Sequence, residues 1–340
     1  MKRPTIADIA RRAGVTKSTV SFALNGRPGV SDAMRTRILD IAHEMGWQPS
    51  RAARALSGGR AGVLGLVVDR PARTLGVEPF FMQLISGIEG ELSSRDIALM
   101  LQVTEDAGAQ EATYRRWWAE RRVDGVFVVD LAVDDERVKA LAEIGMPAVV
   151  VGGPQGLGGL PGLWNDERAA MRSVVEYLVA LGHRRVARVG GLPGLWHTVL
   201  REDAFEEAAR ELGVTPSGGT ADYTGDAGAR ATRRLLSSSA PPTAIIYEND
   251  VMAVAGLSVA AEMNIRVPDR LSIVAWDDSV LCRLVHPPLT TVSVDIPAYG
   301  AAVARCLADL SAGHLVTGGC HATAVLSPRG STGPAPSVNA

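Results

Sequence analysis

The residues near the amino terminus that could do chemistry lie on the outer face of one short helix. This helix begins after Thr16, a suitable N-cap, and its Val20 and Leu24 are predicted to face inward. The residues left on or near the outer face are Lys17, Ser18, Ser21 and Phe22. Ammonium, hydroxyl and aromatic groups on one helical face suit contacts with phosphates and base edges, so DNA binding is one interpretation.

A preceding helix and a tight turn would position that face. Thr5 is a suitable N-cap, and Ile6, Ile9 and Ala10 follow it at helical spacing. Gly14 lies where the chain must reverse, because glycine accepts a positive φ at little cost. The pattern is typical of the helix-turn-helix unit that reads the major groove, although an ordinary helical hairpin has the same spacing.

The charge distribution favours nucleic acid as the partner of this segment. Residues 1–60 contain 11 Lys or Arg against 4 Asp or Glu, whereas the remaining residues contain 24 against 33. A basic module on an acidic body is expected where one small domain meets phosphate. A solvated basic face is the alternative.

A third helix and a short basic segment follow. The third helix is predicted from its cap at Ser31 to Met45, and Gly46 ends it. Ser50 could cap a further helix of about seven residues, 51–57, which would be marginal in water without a partner. Its arginines and alanines indicate DNA as that partner, and a flexible linker is the alternative.

The rest of the chain alternates strands and amphipathic helices, which predicts doubly wound parallel sheets of the α/β class. The predicted strands are Val63–Val68, Ala98–Val103, Gly125–Val129, Ala148–Val151, Arg185–Val189, Ala244–Tyr247 and Ser272–Ala275. The clearest predicted helices are Phe80–Ser93, Asp166–Leu181, Arg201–Leu212 and Asp250–Met263. The strands are too many for one sheet, so we expect two similar halves that split near Gly162.

The heptapeptide GGLPGLW occurs twice, at Gly158–Trp164 and Gly190–Trp196. Both copies follow predicted strands, and ligands of open α/β sheets bind outside the carboxyl ends of strands. Trp164 and Trp196 are therefore expected to face one cleft, where an indole ring could stack on a sugar. Local coincidence is the alternative, because seven residues do not make a repeat architecture.

Several function classes lack support in the sequence. No phosphate-binding loop, nucleophile elbow or zinc-protease motif is present, and the six histidines lack metal-ligand spacing, so we expect no enzyme, no cofactor and no metal. Cys282, Cys306 and Cys320 are an odd set without CxxC spacing, which is typical of reduced thiols. No apolar run reaches the roughly 18 residues of a membrane span and the amino terminus is polar, so a cytoplasmic protein without a membrane partner is expected.

Several ordered blocks resemble the lac repressor family of bacterial transcription regulators. The blocks are TIADIARRAGVTKSTVSFALNGRPGVS, GWQPSRAARAL, EYLVALGHRRVARVGG, AIIYENDVMAVAG, RVPDRLSIVAWDD with HPPLTTV, and the closing Arg329, Ser331 and Thr332. The resemblance implies a three-helix head, a hinge helix and a two-subdomain body like the type I periplasmic binding proteins. It also implies three crossings of the chain between the subdomains, near 162, 290 and 322.

The domain boundaries expected from this resemblance follow those crossings. They are a head at 1–47, a hinge helix and linker at 48–60, an N-terminal subdomain at 61–162 with 291–322, a C-terminal subdomain at 163–290 with 323–332, and a disordered tail at 333–340.

The resemblance assigns DNA contacts in the head and hinge. Lys17 and Ser18 match base-contacting positions. Thr19 and Ser21 match phosphate-contacting or supporting positions. Asn25 and Arg27 are expected to meet phosphates, which position the head without specifying sequence. Phe22 stands where the family usually has arginine, and a phenyl ring can pack on a thymine methyl but cannot form a bidentate contact with guanine. Leu56 matches the hinge leucine that wedges into the minor groove. The DNA-binding candidates are Thr5, Thr16, Lys17, Ser18, Thr19, Ser21, Phe22, Asn25, Arg27, Arg51, Ala53, Arg54 and Leu56.

The resemblance also assigns an effector site in the body. Arg201 and Asp277 match the arginine and carboxylate that bind effector hydroxyls across the cleft, and a structural ion pair is the alternative. Aromatic rings there would cover the apolar face of a neutral polyol. The effector-binding candidates are Phe80, Phe81, Asp166, Trp196, Arg201, Tyr223, Asn249 and Asp277.

These assignments imply a homodimeric repressor of carbohydrate-utilisation genes that binds a pseudo-palindromic operator and responds to a small effector, most simply a sugar. A nucleobase or nucleoside effector in the same fold is one alternative. A sugar receptor that does not bind DNA is another, although it would have no use for residues 1–60.

Overall fold

A computed structural model describes residues 4–47, 59–70, 75–76, 78–104 and 107–337 of the 340-residue chain. The chain divides into two compact units, Met1–Ala61 and Gly62–Ala340. No helix among these residues is long and apolar enough to cross a membrane.

Within residues 4–47, the first unit has the helices α1 (Ile6–Ala13), α2 (Lys17–Leu24) and α3 (Asp32–Glu44). Each helix contributes one fully buried residue, and these residues, Ile9, Val20 and Ile38, form the centre of a small apolar core. Since the three helices have 8, 8 and 13 residues, each is too short to be stable alone and depends on this packing.

Side-chain caps fix where these helices begin. The backbone N–H and the hydroxyl of Thr5 both donate to the Asp8 carboxylate, at 3.0 and 2.6 Å. Thr16 Oγ1 accepts from the N–H of Thr19 at 3.2 Å. Gly14, with φ +71°, ends α1 in the left-handed region and lets the chain turn into α2. The predicted helix-turn-helix is confirmed.

The second unit contains two six-stranded sheets. The first has the order β11-β5-β4-β3-β1-β2 and consists of β1 (Val63–Asp69), β2 (Ala98–Thr104), β3 (Val126–Val128), β4 (Ala148–Val151), β5 (Gly162–Asn165) and β11 (Gly319–Ala322). The second has the order β12-β10-β9-β8-β6-β7 and consists of β6 (Arg185–Gly190), β7 (Thr215–Thr220), β8 (Ala244–Tyr247), β9 (Ser272–Trp276), β10 (Thr290–Ser293) and β12 (Val325–Ser327). Every pairing is parallel except that of β10 with β12.

Helices cover both faces of each sheet, which explains why the inner strands are apolar throughout rather than alternating. The N-terminal subdomain, built on the first sheet, has α4 (Pro79–Ser94), α5 (Ala107–Ala119), α6 (Glu136–Ile144) and α12 (Ile296–Ser311). The C-terminal subdomain, built on the second sheet, has α7 (Glu167–Ala180), α8 (Trp196–Glu211), α9 (Gly225–Leu236), α10 (Asp250–Glu262) and α11 (Val280–Leu284). The two-subdomain, doubly wound α/β body predicted from the sequence is confirmed.

Helices α4 and α12 cross closely because glycine occupies the contact on each. A Cβ at Gly87 would lie 2.0 Å from the carbonyl oxygen of Pro297, and one at Gly300 would lie 2.4 Å from that of Leu84. The two helices come from distant parts of the chain and bury the same apolar cluster above the first sheet.

The predicted strands are all present, but five further strands were not predicted. β7 (TPSGGT) is polar and glycine-rich because it is an exposed sheet edge, and β5, β11 and β12 are short. β5 pairs with β4 and β11, and β10 pairs with β9 and β12. The chain therefore passes from the first sheet to the second after Asn165, returns after Ser293 and passes to the second again after Ala322.

Two other expectations need correction. Helix α8 begins at Trp196 rather than Arg201, so the second tryptophan of the repeat starts a helix. Residues 333–337 were expected to be disordered but are held by hydrogen bonds, since Gly333 N–H donates to Ser272 Oγ at 3.1 Å and Ala335 N–H donates to the Leu181 carbonyl at 2.8 Å.

Candidate functional sites

The exposed face of α2 presents the residues expected there. Lys17 and Ser18 are exposed at the start of the helix, and Phe22 is 40% exposed one turn later. The other candidates of the head, Thr5, Thr16, Asn25 and Arg27, are also exposed, whereas Thr19 and Ser21 are half-buried. The hinge candidates Arg51, Ala53, Arg54 and Leu56 lie outside the described residues.

Two of these head residues form hydrogen bonds that stabilise the helix ends. Thr16 caps α2, and the Asn25 side-chain amide donates to the Ser21 carbonyl at 2.8 Å at the other end of the helix. These hydrogen bonds fix the two ends of the helix. The side chains of this face that remain available to contact DNA are therefore chiefly Lys17, Ser18 and Phe22.

The body contains a cavity between its two subdomains, at the carboxyl ends of their strands. Trp164 lies in β5, Trp276 ends β9, and Arg70 directly follows β1, so several strands deliver side chains to it. Its volume is about 120 Å³.

Arg201, on α8, is the central cation of the C-terminal side. Its Nε donates to Glu167 at 2.6 Å and its Nη1 donates to Glu248 at 2.8 Å. The guanidinium carbon lies 4.4 Å from the centre of the Trp276 ring. Burial alone would lower the pKa of Arg201, but the charges of Glu167 and Glu248 outweigh it and raise the pKa.

Glu248 is held between two arginines and is itself buried. Arg188, also buried, donates to the other Glu248 oxygen and to Glu202. Although burial raises the pKa of Glu248, the charges of Arg188 and Arg201 lower it overall. An alternating chain of charges therefore runs from the protein surface at Glu202 to the cavity wall at Arg201, which fixes the orientation of the Arg201 guanidinium.

Asp277 also lines the cavity, but the hydrogen bonds of the Arg201 side chain are made with Glu167 and Glu248 instead. Asp277 directly follows β9 with φ +67°, and its N–H donates to the Val292 carbonyl at 2.8 Å. Burial raises the pKa of Asp277 well above its ordinary value, against the opposing charge of Arg201. The ion pairs of Arg201 are therefore made with Glu167 and Glu248, which the sequence analysis did not identify.

Two further candidates are helix caps. Asn249 lines the cavity, but its Oδ1 accepts from the N–H of Met252 at 2.9 Å and its Nδ2 donates to the Tyr223 carbonyl at 3.1 Å. Asp166 accepts from the N–H of Ala169 at 3.0 Å and is not among the residues that line the cavity. The next residue, Glu167, lines it instead, because the first turn of α7 points it inward.

The aromatic candidates all line the cavity. Phe80 and Phe81 form an edge-to-face pair with ring centres 5.4 Å apart on the N-terminal side. On the C-terminal side, the hydroxyl of Tyr223 lies 2.6 Å from Nε2 of His197. Rings therefore reach the cavity from both subdomains, as a ligand with apolar faces requires.

Trp196 lines the cavity and also joins the two subdomains. The backbone N–H of Trp196 donates to the Leu131 carbonyl at 2.9 Å, and the backbone N–H of Val133 donates to the Gly194 carbonyl at 2.8 Å. Its ring packs into the apolar cluster of the N-terminal subdomain, where a Cβ on Gly156 would lie 2.3 Å from the indole nitrogen. We call this arrangement of 131–133, 156 and 194–196 the interdomain clasp.

Both copies of the repeated heptapeptide reach the cavity, but they differ in structure. Trp164 lies in a strand, whereas Trp196 begins a helix, and both line the cavity as predicted. Because one sequence of seven residues adopts two conformations, the repeat is not a structural unit.

A charged group on the N-terminal side was missed by the sequence analysis. Nη2 of Arg70 lies 3.0 Å from Oδ2 of Asp130, and its guanidinium carbon lies 4.5 Å from the centre of the Tyr223 ring. Burial raises the pKa of nearby Glu78 to about 7, against the opposing charge of Arg70. Arg70 and Asp130 follow β1 and β3 directly, so the rule applied to the tryptophans could have found them.

The described residues contain no group of three or more His, Cys, Asp or Glu side chains placed to hold a metal ion.

Comparison with known proteins gives consistent matches along the chain. The family described as "Bacterial regulatory proteins, lacI family" matches residues 5–50, and the "Periplasmic binding protein-like domain" matches residues 175–332. The HTH-type transcriptional regulator CelR of Thermobifida fusca is 32% identical over 91% of this chain and 92% of its own. The HTH-type transcriptional regulator MalR of Streptomyces coelicolor is 30% identical over 97% of both.

Solved structures of similar proteins are regulators of the same kind. A LacI family transcriptional regulator from Bifidobacterium animalis subsp. lactis is 36% identical, with a TM-score of 0.76 over 82% of this chain and all of that one. A structure described as the CelR–cellobiose complex is 29% identical, with a TM-score of 0.74 over 97% of this chain and all of that one.

The helix-turn-helix head and the two-subdomain body with its cavity define a class of bacterial transcription regulators. The relatives that match nearly the whole chain are such regulators, which are not enzymes. The chain belongs to the LacI family of bacterial regulatory proteins.

Proposed function

We propose that this regulator is a repressor of carbohydrate-utilisation genes, that it binds a pseudo-palindromic operator as a homodimer, and that a sugar in the cavity controls its affinity for DNA. The observation that carries the proposal is the position of Arg201, which is fixed by Glu167 and Glu248 over the face of Trp276.

The chemistry around Arg201 suits a neutral polyol. Two of its nitrogens are occupied by carboxylates, so Nη2 remains to donate to a ligand hydroxyl. Asp277, whose pKa is raised, provides a carboxyl group that can donate or accept. Trp276 and Tyr223 add apolar faces of the kind that cover a pyranose ring. The relative whose solved complex contains cellobiose supports the same class of effector.

The head supports recognition of DNA in the major groove. Lys17, Ser18 and Phe22 are exposed on the helix that follows the turn, and residues 1–60 carry the excess of basic charge. In a homodimer, two such heads would read the two halves of a pseudo-palindrome. We place the protein in the cytoplasm, where the operator is.

The sugar can control DNA binding only if it binds two arrangements of the body with different affinity. The cavity is lined from both subdomains, so a ligand that contacts both sides stabilises the closed arrangement relative to an open one. The difference in the free energy of ligand binding between the two arrangements then changes the affinity of the paired heads for the operator.

The test measures binding to DNA from the chain's own upstream region by fluorescence anisotropy, with and without glucose, maltose, cellobiose, adenine and guanine. We expect a specific complex whose affinity one of the saccharides changes at least tenfold. Absence of a specific complex under every condition would contradict the repressor, and a response to a nucleobase alone would contradict the sugar effector.

The variant Arg201→Ala separates the effector site from the rest of the body. We expect it to abolish the change that the saccharide causes, because Nη2 is lost from the cavity. Arg210→Ala is the matched control, since Arg210 is an exposed arginine of the same helix. A normal response in Arg201→Ala would remove Arg201 from the site.

A further inference from the structure

One apolar ring interrupts the polar exposed face of α2. Phe22 is 40% exposed and lies one helical turn after Ser18, on the helix that begins with Lys17. Leu39, on α3, is the other large apolar side chain with such exposure among the described residues of the head, at 46%. Single exposed apolar residues are common on proteins, so exposure alone assigns no role to either of them.

The position of the Phe22 ring is fixed by the way α2 ends. The Phe22 carbonyl accepts from the N–H of Arg27 at 2.9 Å. The Ala23 carbonyl likewise accepts from the N–H of Gly26, at 3.4 Å. With Gly26 at φ +65°, these two bonds form a Schellman motif, which anchors the last turn of the helix. A Cβ at Gly29 would lie 3.8 Å from Cδ2 of Phe22, so the following loop passes beside one edge of the ring.

The polar side chains near Phe22 on this surface are already engaged within the head. Oγ1 of Thr19 lies 2.9 Å from Oγ1 of Thr16. Nδ2 of Asn25 donates to the Ser21 carbonyl at 2.8 Å. Since residues three apart on a helix are neighbours on its surface, this turn of α2 offers DNA chiefly a phenyl ring rather than a free donor or acceptor.

The chemistry of the major groove decides what a phenyl ring can recognise there. Base edges present hydrogen-bond donors and acceptors, and the C5-methyl of thymine is the apolar group among them. A phenyl ring would cover polar atoms such as N7 and O6 of guanine without bonding to them, which costs free energy. On a thymine methyl, the same ring buries apolar surface on both sides. Attraction to one base and exclusion of others therefore act together at this position.

We propose that Phe22 selects the C5-methyl group of a thymine, and so fixes thymine at one position in each half of the operator. This inference rests on the proposed operator binding and deepens it. Removal of that methyl costs affinity even though every hydrogen-bonding group of the base pair is kept.

The first experiment finds the operator and then removes single methyl groups from it. The full chain selects its site from duplexes with a randomised central segment. Each thymine of that site is then replaced, in both halves at once, by deoxyuridine, which differs from thymidine only by the missing methyl. Affinity is measured by fluorescence anisotropy. We expect one such replacement to weaken binding at least fivefold, because two phenyl rings each lose a methyl contact.

Phe22→Ala shows whether that thymine is read by Phe22. We expect the same replacement to change the affinity of Phe22→Ala less than twofold, because the ring and the methyl belong to one contact. Leu39→Ala is the matched control, since it also removes an exposed apolar side chain from the head, and it should keep the loss seen in the parent chain. Binding of each variant to the unmodified site above a scrambled duplex shows that its head is folded.

A second measurement needs no variant. At the sensitive position, the thymine–adenine pair of each half is replaced by cytosine–guanine or by 5-methylcytosine–guanine, and both duplexes are titrated with the parent chain. The two duplexes differ only in the methyl group at C5. We expect the methylated duplex to bind at least threefold more tightly.

The outcomes distinguish this inference from the proposed function. If the parent chain selects no sequence, operator binding and the role of Phe22 both fail. If it selects a site but no deoxyuridine weakens binding, or Phe22→Ala loses as much as the parent chain from the same replacement, only the role of Phe22 fails. Equal binding of the cytosine and 5-methylcytosine duplexes would likewise overturn that role alone.

Discussion

At the scale of single residues, the body keeps several ionisable groups in a small buried space, and their pairing decides what each contributes. Arg201, Arg188, Glu248 and Glu167 are mutually paired, so their charges are stabilised. Glu78 and Asp277 lack such strong compensation, and burial raises the pKa of both. The paired residues around Arg201 are therefore expected to respond to pH and to substitution differently from Glu78 and Asp277.

Glu78→Gln is predicted to change how stability depends on pH. The pKa of Glu78 is raised from 4.5 to about 7 in the folded chain, chiefly by burial, while Arg70 opposes the rise and Asp130 and Asp250 add to it. The folded state thus favours the protonated form, and the parent chain loses stability as pH rises from about 4.5 to about 7. Glutamine is neutral throughout and avoids this loss, which is on the order of 3 kcal/mol.

The measurement is thermal unfolding of both chains at pH 5 and pH 8. We expect the difference in melting temperature, Glu78→Gln minus the parent chain, to be larger at pH 8 than at pH 5. Glu206→Gln, at an exposed position, controls for the loss of one acidic group. An equal difference at both pH values would mean that Glu78 titrates normally.

Glu248→Gln is predicted to destabilise the fold. The carboxylate accepts from Arg188 and Arg201, both of which are mostly buried, so its loss leaves two cations without full compensation. Breaking a buried pair typically costs about 3–5 kcal/mol. Glu176→Gln is the control, because the Glu176–Arg172 pair is about half exposed and such pairs contribute roughly 0–1 kcal/mol. Urea unfolding that gives similar losses for the two variants would contradict the role of Glu248.

At the scale of elements, two contacts between distant segments determine the geometry of the body. Helices α4 and α12 cross at Gly87 and Gly300, which fixes the N-terminal subdomain around its core. The interdomain clasp then joins the segment after β3 to the start of α8 through two backbone hydrogen bonds and the Trp196 ring. The clasp lies beside the cavity, so it contributes to the closed arrangement.

Gly156→Ala is predicted to weaken the clasp. A Cβ at this position would lie 2.3 Å from the Trp196 indole nitrogen, so the ring must move out of its place. Gly159→Ala is a matched control: it is in the same loop and also has a positive φ, but its Cβ would meet nothing within 4 Å. Both substitutions therefore carry backbone strain, and only the first disturbs Trp196.

Hydrogen exchange of the segments 131–135 and 194–198 measures the effect. We expect the amides of Val133 and Trp196 to exchange at least tenfold faster in Gly156→Ala than in Gly159→Ala, because each donates across the clasp. The same rates in the two variants would show that the indole ring is not needed to hold the subdomains together.

At the scale of the whole molecule, a DNA-binding head and a ligand cavity belong to separate compact units of one chain. If a saccharide changes the affinity for the operator by a given factor, the operator must change the affinity for the saccharide by the same factor. This reciprocity follows from thermodynamics for any mechanism that links the two sites.

The prediction is that the two factors agree for the parent chain and that both approach one in Arg201→Ala. Operator affinity is measured by fluorescence anisotropy at zero and saturating saccharide, and saccharide affinity by calorimetry with and without operator. Arg210→Ala should retain the factor of the parent chain. A saccharide that binds tightly but gives a factor of one would be a ligand without a regulatory role.

Local patterns in the sequence were enough to predict the head, the repeated β-α units and the class of protein. Helix caps, apolar periodicity and a turn glycine act within a few residues, so Thr5, Gly14 and Thr16 could be assigned from spacing alone. The same applies to the inner strands, whose continuous apolar runs require a sheet covered on both faces. The resemblance to a family then indicated Arg201 and the aromatic walls of the cavity.

The pairing of those groups, in contrast, depends on long-range packing. Glu167 and Glu248 meet Arg201 from separate elements, Asp166 turns out to be a helix cap, and Trp196 reaches into the opposite subdomain. The triad of Arg70, Glu78 and Asp130 likewise joins positions up to 60 residues apart. Which carboxylate pairs with which arginine depends on the order of strands in the sheet and on burial. Local sequence patterns do not encode those two quantities.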